Sequence, residues 1–446
     1  MKKINYAEIL YIYILAHPLL DLITSLTTRF TNATITVGII TKGIAFTSLM
    51  IYLIFYNKSK YKHYSRLYLI VMIIFTLIYF ITKENILYLP NLISEIIYLF
   101  KYMYFPLMFI GIVNLNNEYP IEFSKIVKIF QINAVVFSSI ILIAELTNTS
   151  FSSYAWGNNQ GSVGWFYSAN EIGAILTLLF PFTFELIYNE KKKWPIIMLP
   201  IIVAMLLIGT KTAYLGLLIP TICFLIYFAI KDKKIFSKKI YSTAILLIII
   251  ILMSPNVSAV NNFKENIIKI LNNNTGTINI ESDNNDDNNV NNKQNILDIP
   301  KDKKMNELVF NNRDTFLKNI NEIYLNSSFE KKLFGIGFNA NKNADIKVIN
   351  KLIEMDPLDI FYRYGIIGFI LYFSPFLMVS VYLINYLLKK RFEIDFQVYL
   401  LIYSCCISLF ISIFAGHIMG APSVSIYLLL SLVLLLNYIK FNRQIN

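Results

Sequence analysis

The chain has 446 residues, of which 56% are hydrophobic and only 15% are charged, and its mean hydropathy is +0.54. Soluble domains carry roughly 25% charged residues, so this composition excludes a soluble protein. Apolar runs of about 20 residues, long enough to cross a hydrocarbon core of ~30 Å, recur along the chain. The net charge of +12 is concentrated in short loops, which is typical of membrane-protein orientation and not of nucleic-acid binding.

The apolar runs predict an all-α integral membrane protein with about twelve transmembrane helices. The three cysteines, Cys223, Cys405 and Cys406, all fall within these runs, so neither a disulfide framework nor a cysteine metal site is predicted. The N-terminal apolar stretch lacks a cleavage site and is interpreted as a retained first helix. The predicted spans are 7–26, 34–56, 67–82, 92–114, 126–146, 166–188, 195–209, 212–230, 240–258, 358–387, 397–415 and 421–439.

Basic loops set the predicted orientation. Four strongly positive segments, 57–66, 189–193, 231–239 and 389–391, all fall on one side of the membrane if there are twelve spans. Positive charge in short loops favours the cytoplasm, so both termini are predicted to be cytoplasmic in a multi-pass protein of the cell membrane. The chain then divides into nine spans over residues 1–258, a large extracytoplasmic loop over 259–357, and three spans over 358–446.

The large loop between spans nine and ten has two parts. Residues 272–295 are rich in Asn and Asp and have almost nothing to bury, so they are predicted to be disordered. Residues 305–340 are predicted to be structured. Phe316, Ile320 and Ile323 recur at helical spacing and indicate an amphipathic helix, and residues 334–339 (FGIGFN) form a glycine-punctuated turn.

Charged residues within the spans lie mostly in the predicted outer half, with Glu185 the exception. Charges inside a membrane are costly and usually functional. Their one-sided distribution indicates a charged cavity that opens to the outer face, which favours chemistry on a lipid-anchored substrate over transport. The outer charges are Asp21, Lys42, Glu95, Lys101, Glu145, Glu171, Lys211, Asp359 and Arg363, of which Lys42 and Lys101 are predicted to bind substrate.

Two candidate sites lie at the outer ends of spans six to eight. Asn170 and Glu171 offer an amide and a carboxylate to a sugar, although acidic residues at a helix start are also favoured by the helix dipole. Lys211 lies in a tight turn (GTKTAY), where its ammonium is able to meet a phosphate. The alternative for Lys211 is an interfacial lysine that snorkels.

Two further candidates lie in the loop and at the start of span ten. Arg313 offers the bidentate grip that suits a diphosphate, unless it is a solvated loop arginine. Asp356, Asp359 and Arg363 share one helical face. Asp359 and Arg363 have the spacing of an ion pair, and both are predicted to bind substrate and to hold Asp356 in place. Asp356 is a candidate general base, although an Asp before Pro is also typical of a helix N-cap. His417 has no metal-ligand company, and neither a metal nor another cofactor is predicted.

The order of these motifs resembles the O-antigen ligase and O-antigen polymerase superfamily, including the related teichuronic acid and capsule polymerases. The resemblance runs from about Gly164 to Phe373, and His17–Asp21 is similar to Gram-positive members. The shared features, in chain order, are Gly164, Phe166, Asn170 and Glu171 at the start of a span, a basic residue in a turn (Thr210–Ala213), a loop arginine (Arg313), Phe334–Phe338, and the segment from Asp356 to Gly368.

The resemblance implies a GT-C-like membrane glycosyltransferase that takes a glycan from undecaprenyl diphosphate without a metal. Two departures stand out, because the ligases usually have Arg where this chain has Lys211 and His where it has Asp356. Both residue types retain the required chemistry, so the changes favour a Gram-positive-type polymerase over a strict lipopolysaccharide ligase. Inverting transfer is expected, with Arg313 and Lys211 on the leaving diphosphate and Asp356 on the acceptor hydroxyl.

The expected partners are therefore an undecaprenyl-diphosphate-linked glycan donor, a glycan or lipid-linked acceptor, membrane lipids and other polysaccharide-assembly proteins, but not nucleic acid. Three alternatives stay open. They are a lipid-linked oligosaccharide flippase or transporter, a cell-wall polymerase of the shape, elongation and division type, whose ten-span character matches this chain poorly, and a non-catalytic scaffold that binds glycan. A flippase predicts charges through the whole membrane depth and short loops on both sides.

Overall fold

The computed structural model describes residues 5–31, 36–83, 89–154, 160–232, 237–262, 264, 313–338, 353–391 and 393–444. The regular structure of this part of the chain is helical, and its only paired extended residues are Ser152 and Ser162, in an isolated bridge. Its α-helices, numbered here in chain order, are α1 Tyr6–Thr31, α2 Val37–Ile51, α3 Lys62–Ile81, α4 Leu89–Glu118, α5 Phe123–Leu146, α6 Ala169–Leu179, α7 Phe184–Tyr188, α8 Trp194–Ile208, α9 Lys211–Asp232, α10 Lys238–Met253, α11 Arg313–Leu325, α12 Phe329–Phe334, α13 Asp356–Lys389, α14 Phe396–Phe414 and α15 Pro422–Gln444.

Ten helical segments of the described residues are long and apolar enough to cross a membrane, and the chain is an all-α integral membrane protein. The predicted spans 195–209 and 240–258 correspond to α8 and α10, which have 15 and 16 residues. At 1.5 Å per residue these helices are roughly 22–24 Å long, less than the ~30 Å of a hydrocarbon core. The count of about twelve spans therefore stays a prediction.

The last helix, α15, lies at the centre of the bundle and packs against α4, α6, α13 and α14. Small polar residues allow this close approach, as where the hydroxyls of Ser404 and Ser431 meet at 3.3 Å between α14 and α15. By contrast, α1, α2 and α3 expose Ile12, Ile44 and Leu67 on outward faces. These apolar faces suit contact with lipid tails.

The predicted amphipathic helix of the loop is present as α11. Its Ile320 and Tyr324 are buried in a small separate core with Ile336, Met355 and Tyr362, so this part of the loop packs on the start of α13. The stretch 272–295, predicted to be disordered, lies outside the described residues. The proposed division of the chain at 258 and 357 stays a prediction.

A kink at Gly365 joins the loop to the membrane bundle. Gly365 has φ 71° and ψ −174°, so α13 breaks there and the carbonyls of the preceding turn lose their helical partners. The backbone N–H groups of Ile336 and Gly337 donate to the carbonyls of Tyr362 and Arg363 at 3.0 and 3.1 Å. Residues 334–338 of the predicted glycine-punctuated turn therefore form a clasp on the kink of α13, and residue 339 lies outside the described residues.

Candidate functional site

A large cavity of about 1180 Å³ lies at one end of the bundle, where α1 ends and α2, α6 and α15 begin. Its wall includes the first half of α4 and the end of the connection between α5 and α6. The polar and charged side chains that line it are Asp21, Thr24, Ser25, Thr28, Arg29, Thr36, Lys42, Lys101, Ser168, Glu171 and Ser423. The predicted outer charges Asp21, Lys42, Lys101 and Glu171 thus share one cavity.

One side of the large cavity is apolar and reaches the outer surface of the bundle. Phe30, Ile39, Ile96 and Ile97 line the cavity, and their side chains are also well exposed, by 74% in the case of Phe30. In a membrane, such residues face hydrocarbon. The cavity therefore combines a charged wall with an apolar opening toward lipid.

Asp21 and Lys42 form a buried ion pair in the wall of the large cavity. The Lys42 ammonium lies 3.0 Å from Asp21 Oδ1, and each side chain is 9% exposed. Lys42 also contacts the hydroxyl of Ser423, which in turn donates to Asp21 at 2.9 Å. Lys42 thus has a carboxylate partner and helps to hold α1, α2 and α15 together, and its predicted substrate binding stays a prediction.

Arg29 is a cavity cation that the sequence analysis missed. The predicted first span ends at residue 26, which leaves Arg29 in a loop, but α1 continues to Thr31. The guanidinium donates to the carbonyls of Phe166 and Tyr167 at 3.1 Å each and lies 4.1 Å from the centre of the Phe151 ring. These contacts fix a positive charge at the cavity wall.

Lys101 and Glu171 stand where the large cavity joins a smaller cleft, because both residues line both spaces. Glu171 lies in the first turn of α6, where Ser168 caps the helix by accepting from the Glu171 backbone N–H at 3.3 Å. Lys101 lies 5.3 Å from the ring centre of Tyr98. Glu171 thus starts a helix and lines the cavity at once, and the two interpretations of its position are compatible.

The cleft has a volume of about 90 Å³ and lies between α4, the start of α13 and the connection between α14 and α15. Its titratable side chains, besides tyrosines, are Lys101, Glu171, Glu354, Asp356, Asp359 and His417. The predicted base Asp356 and the predicted sugar-site residue Glu171 therefore line one space.

Asp356 anchors the connection between the last two spans. Its carboxylate accepts the backbone N–H groups of His417, Ile418 and Met419 at 3.0, 2.8 and 2.7 Å. No local pattern predicts this contact, since the partners lie 61–63 residues away along the chain. Three N–H donors occupy most of the acceptor capacity of the carboxylate, so its task in the structure is to hold the loop. Its role as a general base stays a prediction.

Asp359 and Arg363 form the ion pair that their spacing predicts, with Arg363 Nε 3.5 Å from Asp359 Oδ1. Arg363 is fully buried, donates to the Gly337 carbonyl at 3.0 Å and lies 4.7 Å from the centre of the Phe338 ring. It lines neither the cavity nor the cleft. Through these contacts with Gly337 and Phe338 the guanidinium supports the clasp. Asp359 lines the cleft.

Lys83 and Glu95 hold the other side of the clasp. The Lys83 ammonium donates to the carbonyls of Phe334 and Gly335. Glu95 accepts from the backbone N–H of Phe338 and from the hydroxyl of Tyr79, both at 2.7 Å. Burial lowers the pKa of Lys83 to about 7 from its ordinary 10.5, against the opposing effect of the Glu95 carboxylate. The clasp is thus fixed by charged groups from three elements.

Lys211 and Asn170, two of the three remaining predicted site residues, lie outside the cavity and cleft linings. Lys211 begins α9 after a turn at Gly209, whose carbonyl accepts from Asn262 at 3.3 Å. Asn170 lies beside Glu171 on α6 but lines neither space. Arg313 begins α11, and its side chain lies outside the described part of the chain. Their predicted roles stay predictions.

The described residues contain no group of three or more His, Cys, Asp or Glu side chains that is suited to hold a metal ion. His17 is buried in α1 and packs edge-on against the rings of Tyr13 and Tyr427. It lies one turn before Asp21 and does not line the cavity.

Comparison with known proteins agrees with the motif order. A family model described as "O-antigen ligase like membrane protein" matches residues 3–442, which include every residue discussed above. No curated protein sequence matches the chain. The resemblance to the O-antigen ligase superfamily is confirmed, and the match implies, in general terms, an enzyme that ligates or polymerises lipid-linked glycans.

Proposed function

The chain belongs to the O-antigen ligase-like membrane proteins, and from this premise we propose that it transfers a glycan from undecaprenyl diphosphate to a glycan or lipid-linked acceptor. The reaction takes place at the outer leaflet, inverts the anomeric carbon and builds a surface polysaccharide such as a capsule. Polymerisation is preferred over a single ligation because Lys211 and Asp356 depart from the usual ligase residues.

The observation that carries the proposal is the large cavity with its charged wall and apolar opening. An undecaprenyl diphosphate donor is an amphiphile with a long hydrocarbon tail and a strongly anionic head. The exposed Phe30, Ile39 and Ile96 offer the tail a path to lipid, while Arg29 and Lys101 offer the diphosphate positive charge. A cavity for a soluble sugar needs no opening toward hydrocarbon.

The chemistry follows from this placement of charge. As the acceptor oxygen attacks the anomeric carbon, the bond to the diphosphate breaks and negative charge develops on the leaving group. Fixed cations stabilise that charge, and in a water-poor cavity such a contribution is large. Arg29 and Lys101 are better situated for this role than Lys211, whose turn lines neither space. Glu171 and Asp359 face the sugar end of the donor.

The proposed orientation of the protein in the membrane rests on the end of the bundle opposite the cavity. Its loops carry the basic segments, and Lys239 lies 4.7 Å from the Tyr188 ring while Lys440 donates to Tyr61 at 3.0 Å. Basic loops favour the cytoplasm, which leaves the cavity and the large loop outside. Both termini are then cytoplasmic.

Glycan analysis of cells that lack the protein tests the proposal. Single repeat units on undecaprenyl diphosphate should accumulate outside the membrane, and long polymer should disappear; both are measured by mass spectrometry after surface labelling. Return of the gene should restore the polymer. Intact repeats trapped on the cytoplasmic leaflet would instead indicate a flippase. Loss of peptidoglycan with surface polysaccharide intact would indicate a cell-wall polymerase.

A further inference from the structure

His417 occupies an unusual backbone position at the wall of the cleft. It has φ 63° and follows Gly416, which has φ 67°, so two successive residues adopt the left-handed conformation. For a residue other than glycine this conformation is strained and needs support from its surroundings. Asp356 supplies that support through its three hydrogen bonds to residues 417–419. Strain of this kind clusters at functional sites.

The imidazole of His417 lines the cleft. Its Nε2 is buried and has no hydrogen-bond partner among the described residues. A buried polar atom without a partner costs free energy, and such atoms at a cleft wall are suited to meet water or a substrate. Imidazole also has an ordinary pKa near neutral pH, which makes it the side chain best suited to accept a proton there.

The acidic side chains of the cleft are less available. Asp356 accepts three backbone N–H groups, and Asp359 is paired with Arg363 and accepts from the Ile353 backbone at 3.4 Å. Glu171 shares the junction of the cavity and the cleft with Lys101. Among the described groups of the cleft, His417 therefore combines an imidazole with a buried ring nitrogen that has no hydrogen-bond partner.

We infer that His417 is a catalytic residue that takes the proton from the acceptor hydroxyl; the inference rests on the proposed glycosyl transfer. The acceptor O–H bond breaks and its proton goes to Nε2 of the neutral imidazole. The acceptor oxygen forms a bond to the anomeric carbon, and the bond from that carbon to the diphosphate breaks with its electron pair on the leaving group. The imidazolium then releases its proton to water.

Asp356 is a positioning residue in this account. Its carboxylate fixes the strained backbone of residues 416–419 and thereby the direction of the imidazole. Other charged groups that face His417 across the cleft are Lys101 from α4, Glu171 from α6, Glu354 before α13 and Asp359 on α13.

The test uses the full chain in liposomes and, as donor, the lipid-linked glycan isolated from cells that lack the protein. His417→Gln should lower kcat about 100-fold or more and leave KM for the donor nearly unchanged. Diethyl pyrocarbonate, which modifies imidazole, should abolish the wild-type rate and leave the residual rate of the variant unchanged. His63→Gln is the matched control, because His63 is exposed at the start of α3.

Asp356→Asn separates positioning from catalysis. It should lower kcat but leave the residual rate sensitive to diethyl pyrocarbonate, since His417 is still present. If His417→Gln does not fold, diethyl pyrocarbonate treatment of the wild-type protein replaces it. The extent of His417 modification, measured by mass spectrometry of its peptide, should then track the loss of activity. Bound donor should reduce both the modification and the loss of activity.

Two results would overturn the inference while leaving the proposed function intact: a wild-type rate in His417→Gln, or full activity after complete modification of His417. If the wild-type protein itself does not consume the donor, the proposed function fails, and the inference fails with it. Donor consumption by wild type is therefore measured first, so that the two failures are distinguished.

Discussion

Replacement of Gly365 by alanine should unfasten the loop from the membrane bundle. At φ 71° and ψ −174°, Gly365 has a conformation that is essentially restricted to glycine and costs other residues about 1–3 kcal/mol. An added Cβ would also overlap the backbone nitrogen of Gly335 and the carbonyl of Leu333. The chain must then move, which weakens the hydrogen bonds from Ile336 and Gly337 by about 1 kcal/mol each. Together these effects predict a loss of roughly 3–5 kcal/mol.

Thermal unfolding of the purified protein in detergent, followed by tryptophan fluorescence, measures this loss. Gly43→Ala is the matched control, since Gly43 lies inside α2 with no atom within 4 Å of an added Cβ. Alanine favours a helix interior by about 0.5–1 kcal/mol over glycine, so this variant should be as stable as wild type or slightly more so. Gly365→Ala should unfold several degrees lower.

A second variant tests whether the two glycines act as one contact. Gly335 and Gly365 face each other, and a Cβ on Gly335 would overlap the Arg363 carbonyl. Gly335→Ala should therefore be as costly as Gly365→Ala, and the double variant should cost less than the sum of the two. An unchanged unfolding temperature for Gly365→Ala would refute the clasp.

Three further predictions concern charged groups. Arg29→Ala should weaken binding of undecaprenyl diphosphate by about tenfold or more, as expected for loss of a charge-assisted contact, in a binding titration on purified protein; equal affinity would remove Arg29 from the site. Lys42→Met should destabilise the protein by up to ~3 kcal/mol because it leaves Asp21 as an unpaired buried carboxylate, and adding Asp21→Asn should recover part of that loss in thermal unfolding. The pKa of Lys83 is about 7 in the folded state, against its ordinary value of 10.5. Between these two pH values the unfolded state binds more protons, so the contribution of Lys83 to the free energy of unfolding rises with pH, by about 1.4 kcal/mol per pH unit. The stability of wild type relative to Lys83→Met should therefore increase between pH 7 and 9, and a pH-independent difference would contradict the burial of the ammonium.

The membrane fold and the family were accessible from the sequence because their signals are local. Apolar runs and basic loops are read residue by residue, and the order of motifs between Gly164 and Phe373 led to the family whose model covers residues 3–442. The i,i+4 spacing of Asp359 and Arg363 likewise predicted a pair that one helix brings together. The predicted spans 195–209 and 240–258 correspond to helices of only 15 and 16 residues. Apolar composition alone does not show that helices this short cross the membrane.

The site was harder to predict because its contacts join distant parts of the chain. Asp356 meets the loop at residues 417–419, and Lys42 meets Asp21 and Ser423. No local pattern marks either contact. Arg29 was missed because the predicted first span ends at residue 26, three residues before Arg29, whereas α1 continues to Thr31. An arginine such as Arg363 is a common phosphate ligand. Only the structure shows that its guanidinium instead contacts Gly337 and Phe338 of the clasp.

The central claim is that the cavity holds the diphosphate of a lipid-linked glycan while the glycan is transferred. Reconstitution of the purified protein in liposomes with the lipid-linked glycan from cells lacking it tests this claim most directly. The account predicts one undecaprenyl diphosphate released for each new glycosidic bond, and near loss of both products in the Arg29→Ala, Lys101→Ala double variant. An intact donor after prolonged incubation with folded wild-type protein and acceptor, or full activity in that double variant, would contradict it.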